Sequence, residues 1–148
     1  MPAPLRHRNL PHLLLRARDT LMAQFRPLLS AHGLTEQQWR ILRELIEQGP
    51  REPRQLCDAC SISSPSIAGV LMRMEEAGLV ARERMPHDQR RVLVSTTPKS
   101  RQLALELVPQ IEARYAALEQ ALGVVAMQEV YDTLDALLAR APATGGTE

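Results

Sequence analysis

Aromatic residues are almost missing from this chain: one Trp, two Tyr and one Phe make up 3% of its 148 residues. A surface that stacks successive unpaired bases needs several such rings, so single-strand nucleic-acid binding by stacking is disfavoured. Cysteine is as rare. Cys57 and Cys60 form one C-x-x-C, "CDAC", with no second pair to complete a zinc site, and His7, His12, His32 and His87 show no metal-ligand spacing. No apolar run approaches the roughly 20 residues that span a bilayer. The patch "LPHLLLRARD" is soon interrupted by Arg16, Arg18 and Asp19, and reads as a helix, not a signal peptide. No Ser/His/Asp order, Gly-rich phosphate loop or pair of catalytic carboxylates is evident. The expectation is a cytoplasmic protein with no membrane partner, not an enzyme, with no cofactor and no metal.

What is present is an ordinary soluble composition, 45% hydrophobic and 24% charged, in a chain long enough for one domain with a real core. The net charge of +1 hides an uneven distribution. Residues 1–50 and 51–101 each carry +3, whereas residues 102–148 carry −5. A basic centre beside an acidic C-terminal region suggests that one part faces an anion and the other does something else.

Residues 1–9 read as a flexible arm and residues 141–148 as a disordered tail. Between them, apolar spacing and stop signals divide the chain. A helix covers about 10–32, with Leu14, Leu21, Phe25, Leu28 and Leu29 at helical spacing and Gly33 as its stop. "LTEQQWRILRELIEQG" is a second helix with a Thr35–Gln38 capping box, ended by Gly49, with Trp39, Leu42 and Ile46 on one face and Leu45 alongside. "PRQLCDAC" is a short third helix. "SISSPSIAGVLMRMEEAG" is a fourth, capped by Ser63 or Ser64, with Pro65 in its first turn and Ile67, Val70, Leu71 and Met74 as its buried stripe. "LVARERM" and "RRVLVSTT" alternate like strands around a "PHDQ" turn and form a hairpin. Thr97–Pro98 restarts a long helix that Pro109 should kink or leave with a gap in its hydrogen-bond ladder. Gly123 separates it from a last helix carrying Met127, Val130, Leu134 and Leu137.

Helix, helix, short helix, capped helix, hairpin and long helices make a mainly α fold with a small β-hairpin. Its centre is a winged helix-turn-helix over residues 34–97, with flanking dimerisation helices at 10–32 and 98–140. The outward face of the fourth helix presents Ser64, Ser66, Ala68, Gly69 and Arg73. Small residues there let the helix axis sit deep in a major groove. The serines near its N-terminus suit phosphate or base edges. The hairpin carries Arg84, His87, Asp88, Arg90 and Arg91. A guanidinium at its tip suits a narrow minor groove, and Asp88 can aim Arg90 by a charge-assisted hydrogen bond. Arg91 suits a phosphate or the base of the wing. The candidate DNA-binding set is therefore Ser63, Ser64, Pro65, Ser66, Ala68, Gly69, Arg73, Arg84, His87, Asp88, Arg90 and Arg91.

"DxRR" (Asp88, Arg90, Arg91) after "MEEAGLVARER" resembles the wing signature of the MarR family of bacterial transcription regulators. The resemblance extends from about Leu10 to Ala139, and "RPLLSAHGLTEQQWRIL" is similar to the branch controlling catabolism of homoprotocatechuate and related aromatic acids. It implies a homodimer that places one winged helix on each half of a pseudo-palindromic double-stranded operator. It also implies a small-molecule pocket between the dimerisation helices and the DNA-binding lobe. Gly69 departs from the larger, often polar residue of many relatives, so base readout there is expected to be weaker. The dimer also follows from the residues, since the Leu103–Leu122 and Met127–Leu138 stripes and the Leu10–Leu15 patch would lack cover in a monomer.

An aromatic carboxylate effector requires a flat apolar wall and guanidinium groups. Trp39, Arg16, Arg18, Arg40 and Arg43 offer these, with Arg18 favoured for the carboxylate. His32 either caps the first helix, where a cation complements the dipole, or lines a pocket. The reading is a repressor of aromatic-acid catabolic genes released by such an acid. The alternatives are a redox-sensing regulator using Cys57 and Cys60, and a winged helix used for protein contacts.

Overall fold

A computed structural model describes residue 1 and residues 3–144 of the chain. Its elements are α1 (Leu10–Ala31), α2 (Glu36–Gln48), α3 (Pro53–Cys60), α4 (Ser64–Glu76), β1 (Val80–Met85), β2 (Asp88–Thr96), α5 (Pro98–Leu122) and α6 (Val124–Arg140). Every element expected from the sequence is present, and local chemistry explains most of the boundaries. Asn9 caps α1 by accepting the His12 N–H at 3.1 Å. Gly33 turns the chain away at φ +71°, a conformation that costs glycine little. In α2 the Gln38 N–H reaches Thr35 Oγ1 at 3.2 Å, and the Thr35 N–H reaches Gln38 Oε1 at 3.1 Å. Glu52 and Gln55 form a second capping box at the start of α3, which sequence reading passed over.

Two prolines lie inside helices. Pro27 in α1 was not weighed in the sequence, and Pro109 in α5 was expected to disturb its helix. Each removes one N–H from the ladder, yet both helices run on through them. Packing nearby offsets the loss: Leu29 is buried two residues after Pro27, and Leu107 and Ile111 are buried on either side of Pro109.

The chain divides into two units, Met1–Ile111 and Glu112–Glu148. The sequence boundary between lobe and dimerisation helices was drawn at residues 97/98, so the structure assigns the first turns of α5 to the lobe. The reason is visible in their bonds. The Thr97 hydroxyl donates to the Gly78 carbonyl at 2.6 Å, and Lys99 Nζ donates to the Ala77 carbonyl at 2.6 Å. The Thr97 and Ser100 N–H groups are satisfied by each other's hydroxyls at 2.9 and 3.1 Å. Ser100, Ala104, Leu107 and Ile111 then face the core.

That core joins α2, α3 and α4 through Ile41, Leu42, Leu56, Leu71 and Met74, with Val94 of the hairpin against them. Ile67, Val70, Leu71 and Met74 form the buried stripe of α4 as expected. Ile46 does not belong to the α2 stripe; it is 44% exposed, and Leu45 takes the inward position. The hairpin is antiparallel, Val80 facing Thr96 and Arg84 facing Val92, with an irregularity between Arg84 and Met85. Its loop is Pro86–His87 alone; Asp88 and Gln89 already belong to β2, so the turn is shorter than "PHDQ". Arg51 adds a third edge, exchanging two backbone hydrogen bonds with Val94 at 3.0 and 2.7 Å.

In the second unit α6 has no buried residue, and Val125 and Leu138 are among its exposed apolar side chains. Leu10, Leu15 and Leu21 of α1 are also exposed, leaving Leu29 as the buried residue of that helix. Of residues 141–148, expected as a tail, 145–148 lie outside the described residues. Among the described residues no helix is long and apolar enough to cross a membrane.

Candidate nucleic-acid interface

Burying one stripe of α4 leaves the opposite stripe outward. Ser64, Pro65, Ser66, Ala68 and Arg73 are all exposed and Gly69 is partly so, which is the arrangement the sequence reading required. Ser63 stands at the N-cap in extended backbone, but no side chain caps the helix. Its hydroxyl donates to Ser66 Oγ at 2.8 Å instead. The expectation of a serine side-chain cap is corrected by that bond, which links two hydroxyls on the outer face.

At the hairpin, Asp88 Oδ1 accepts both the Arg90 N–H at 3.0 Å and the Arg90 Nε–H at 3.4 Å. The Arg90 side chain is nevertheless 94% exposed, so the carboxylate aims it without covering it. His87 is exposed at the tip. Arg84 donates across the loop to the Gln89 carbonyl, and part of its donor set therefore braces the turn. Arg91 is the base of the wing, not a free phosphate contact. Its Nε and one terminal nitrogen bind the two oxygens of Glu52 at 2.7 and 3.1 Å.

Arg82 on β1 does the same with Glu75 near the end of α4, at 3.2 and 3.0 Å. Two bidentate pairs thus tie the hairpin to the first and last parts of the helix-turn-helix, fixing it against both. Glu52, Glu75 and Arg82 were missed in the sequence. Partners 39 positions apart, as Glu52 and Arg91 are, leave no local signal.

The hydrogen bond from Arg91 holds the Glu52 carboxyl below its ordinary value of 4.5, and the one from Arg82 does the same for Glu75. A depressed carboxyl pKa contributes stability that is complete above the unfolded value and disappears as pH falls through the lower folded one. Both clamps should therefore persist from neutral pH to below about 4.5. Carbon-13 NMR titration of the two carboxyl groups should give midpoints under that value. Midpoints at or above it would mean the clamps do not form in solution.

The residues expected around an effector divide differently from the sequence reading. Glu36 accepts Arg40 at 2.8 Å and Arg18 at 3.1 Å. Arg40 also donates to the Cys60 carbonyl at 2.5 Å, and its Nε is buried without a partner. Arg40 therefore bolts α2 to the end of α3 and is not a free cation for a ligand. Arg43 pairs with Glu47 at 2.8 Å, both half exposed. Arg16 and Arg18 are exposed, and Trp39 is partly buried. His32 stands both at the end of α1 and on a cavity wall. Its Nδ1 donates to the Leu28 carbonyl at 2.8 Å, and the ring lines a cavity of about 320 Å³ with Ala77, Leu79, Lys99, Leu103 and Glu106. Of the expected effector residues the cavity includes His32 but none of the four arginines and not Trp39.

Cys60 is buried, its thiol donating to the Arg40 carbonyl at 3.6 Å, and burial pushes its pKa up. Thiolate is the reactive form, so burial and the raised pKa keep Cys60 in its unreactive thiol form, while Cys57 is half-buried.

An outward helix of small residues, clamped beside a hairpin that holds an exposed guanidinium, defines a winged helix-turn-helix protein. Residues 32–91 match the MarR family. The chain is 40% identical over 134 residues to the HTH-type transcriptional regulator FarR of Neisseria gonorrhoeae, covering 90% of this chain and 92% of that one. It is 38% identical to the homoprotocatechuate degradative operon repressor of Escherichia coli, covering 90% of each. A crystal structure of NadR in complex with 4-hydroxyphenylacetate superposes with a TM-score of 0.80 at 39% identity, covering 96% of this chain and all of that one. The chain belongs to the MarR family of transcriptional regulators, and its relatives are regulators rather than enzymes.

Proposed function

We propose that this chain is a homodimeric repressor of genes for aromatic-acid breakdown, released from a pseudo-palindromic operator by a small aromatic carboxylate. The observation that carries the reading is the juxtaposition of an exposed Ser64–Ser66–Ala68–Gly69–Arg73 face with an Arg90 that Asp88 aims into solvent, on one clamped lobe. The helix enters a major groove and Arg90 enters the neighbouring minor groove. Ser63, Ser64, Pro65 and His87 lie where backbone phosphates pass. Two copies are required, because two recognition helices about 34 Å apart engage successive major grooves. The uncovered apolar side chains, Val125 at 72% and Leu138 at 83% among them, supply a surface for that pairing.

The effector class follows from the relatives' own ligand and operon, a hydroxyphenylacetate in one and homoprotocatechuate degradation in the other. Arg18, exposed and paired with Glu36, is the candidate for its carboxylate, with Trp39, Arg43 and Arg16 nearby, and His32 is the one member of the set that lines the cavity. Arg40 is withdrawn because its terminal nitrogens are taken. An acid that binds a conformer with the wrong helix spacing lowers operator affinity by linkage.

Selection from a random duplex pool should return a pseudo-palindrome bound with steep salt dependence. Adding 4-hydroxyphenylacetate should raise the melting temperature, change the fluorescence of Trp39, the sole tryptophan, and displace the duplex. Binding that ignores salt and sequence would sink the DNA half of the reading. An unchanged melting temperature across phenolic and heteroaromatic acids would sink the effector half.

A further inference from the structure

Gly69 is the one position on the outer face of α4 where the helix carries no side chain at all. A mid-helix glycine is less favourable than alanine by about 1 kcal/mol, so a compensating role is expected. The space is occupied. A Cβ built on Gly69 would stand 3.3 Å from Arg73 Nη1 and 3.9 Å from its Cζ and Nη2. The Arg73 guanidinium therefore lies back along the helix, one turn toward the N-terminus, over the bare Gly69 backbone. Long helical side chains lean in that direction, and here nothing stands in the way. Among the described residues no carboxylate pairs with this guanidinium, although Glu76 lies three positions on; Glu75 is taken by Arg82. Ser66 lies on the same stripe, three residues before Gly69 and seven before Arg73.

We infer that Gly69 is a specificity-determining residue: it seats Arg73 flat against the recognition helix, so that its guanidinium reads a guanine edge on the groove floor instead of a phosphate on the groove wall. The inference rests on the reading that α4 enters a major groove. It reverses the expectation that a glycine here weakens base readout. An arginine directed away from the helix axis reaches the backbone and carries charge alone, whereas one lying along the exposed stripe presents two parallel N–H donors to O6 and N7 of guanine. Gly69 makes no contact of its own; it acts through where it lets Arg73 lie.

Gly69→Ala separates this role from a structural one, because the two predict opposite signs. Alanine favours the helix, and the strain at 3.3 Å falls on the far end of a flexible side chain, so the variant should melt at or above the temperature of the natural chain. Duplex selection with the natural chain should show a fixed G·C pair in each half-site. Arg73→Ala should lose about 5- to 150-fold of the discrimination at that pair, the worth of the whole bidentate contact. Gly69→Ala should lose a measurable part of the same discrimination while keeping its binding to random duplex and its salt slope, and the double variant should lose no more than Arg73→Ala alone. Discrimination retained in Gly69→Ala overturns the inference. So does an Arg73→Ala variant that binds all duplexes more weakly by one factor with a salt slope smaller by about 1, the mark of a phosphate contact. A natural chain that selects no sequence overturns this inference together with the proposed function. One that selects a palindrome without the G·C pair overturns the inference alone.

Discussion

Arg90→Ala should weaken binding to the selected operator by about 1–3 kcal/mol, roughly 5- to 150-fold, with the fold and the dimer unchanged. The side chain is almost entirely in solvent and its one carboxylate partner, Asp88, is also held by the Arg90 backbone N–H. Removing the guanidinium therefore disturbs the hairpin little, and the loss falls on what the guanidinium meets outside the protein. If that is the minor groove, the loss should be larger on operators with an A·T-rich flank, where negative potential is concentrated, than on G·C-rich ones. Arg90→Lys should recover only part of the loss, since an ammonium keeps the charge but not the planar fork. Equilibrium titrations of the three proteins on two flanking sequences at several salt concentrations read all of this. Arg90→Ala binding as tightly as the natural chain would remove the hairpin from the interface.

The second large effect is on stability. Leu71→Ala should destabilise the lobe by about 2–5 kcal/mol, the range for emptying a fully buried leucine site. Leu71 is 1% exposed, on the inner side of the same helix that carries Gly69 and Arg73. Leu42, Leu56 and Met74 of the same core are themselves fully enclosed, a tightly filled setting that favours the upper part of the range. For a chain of this length about 2–4 °C of melting temperature accompanies each kcal/mol. Calorimetry should show a drop of about 4–20 °C. A shift under about 2 °C would mean that α4 is not seated by this stripe.

Much of the fold was legible because helix ends are fixed by neighbours in sequence. Thr35 with Gln38, Gly33, Gly49 and Gly123 are local devices, and each marks a boundary the structure keeps. The buried stripe of α4 was legible for a similar reason, as its spacing of three and four leaves one choice of inner face. Where a side chain's partner lies far along the chain, the reading stopped. Arg91 stood between a phosphate contact and the base of the wing, because nothing near it in sequence shows that Glu52 waits across the lobe. Arg40 stood among four candidate arginines, behind Arg18, until the Cys60 carbonyl and Glu36 took its donors. Ile46 fitted a helical stripe by period but sits at the edge of the packed face, where the stripe has drifted. Gly69 was read as a small residue that weakens readout; its content came from Arg73, four residues on, whose guanidinium leans back over it.

The two bonds from Thr97 and Lys99 to the carbonyls of Gly78 and Ala77 have a mechanical consequence. They join the exit of α4 to the entrance of α5 by two direct bonds, so a displacement of those opening turns of α5 is passed straight to the end of α4. On the proposed function, an effector that moves α5 needs no contact with α4 itself.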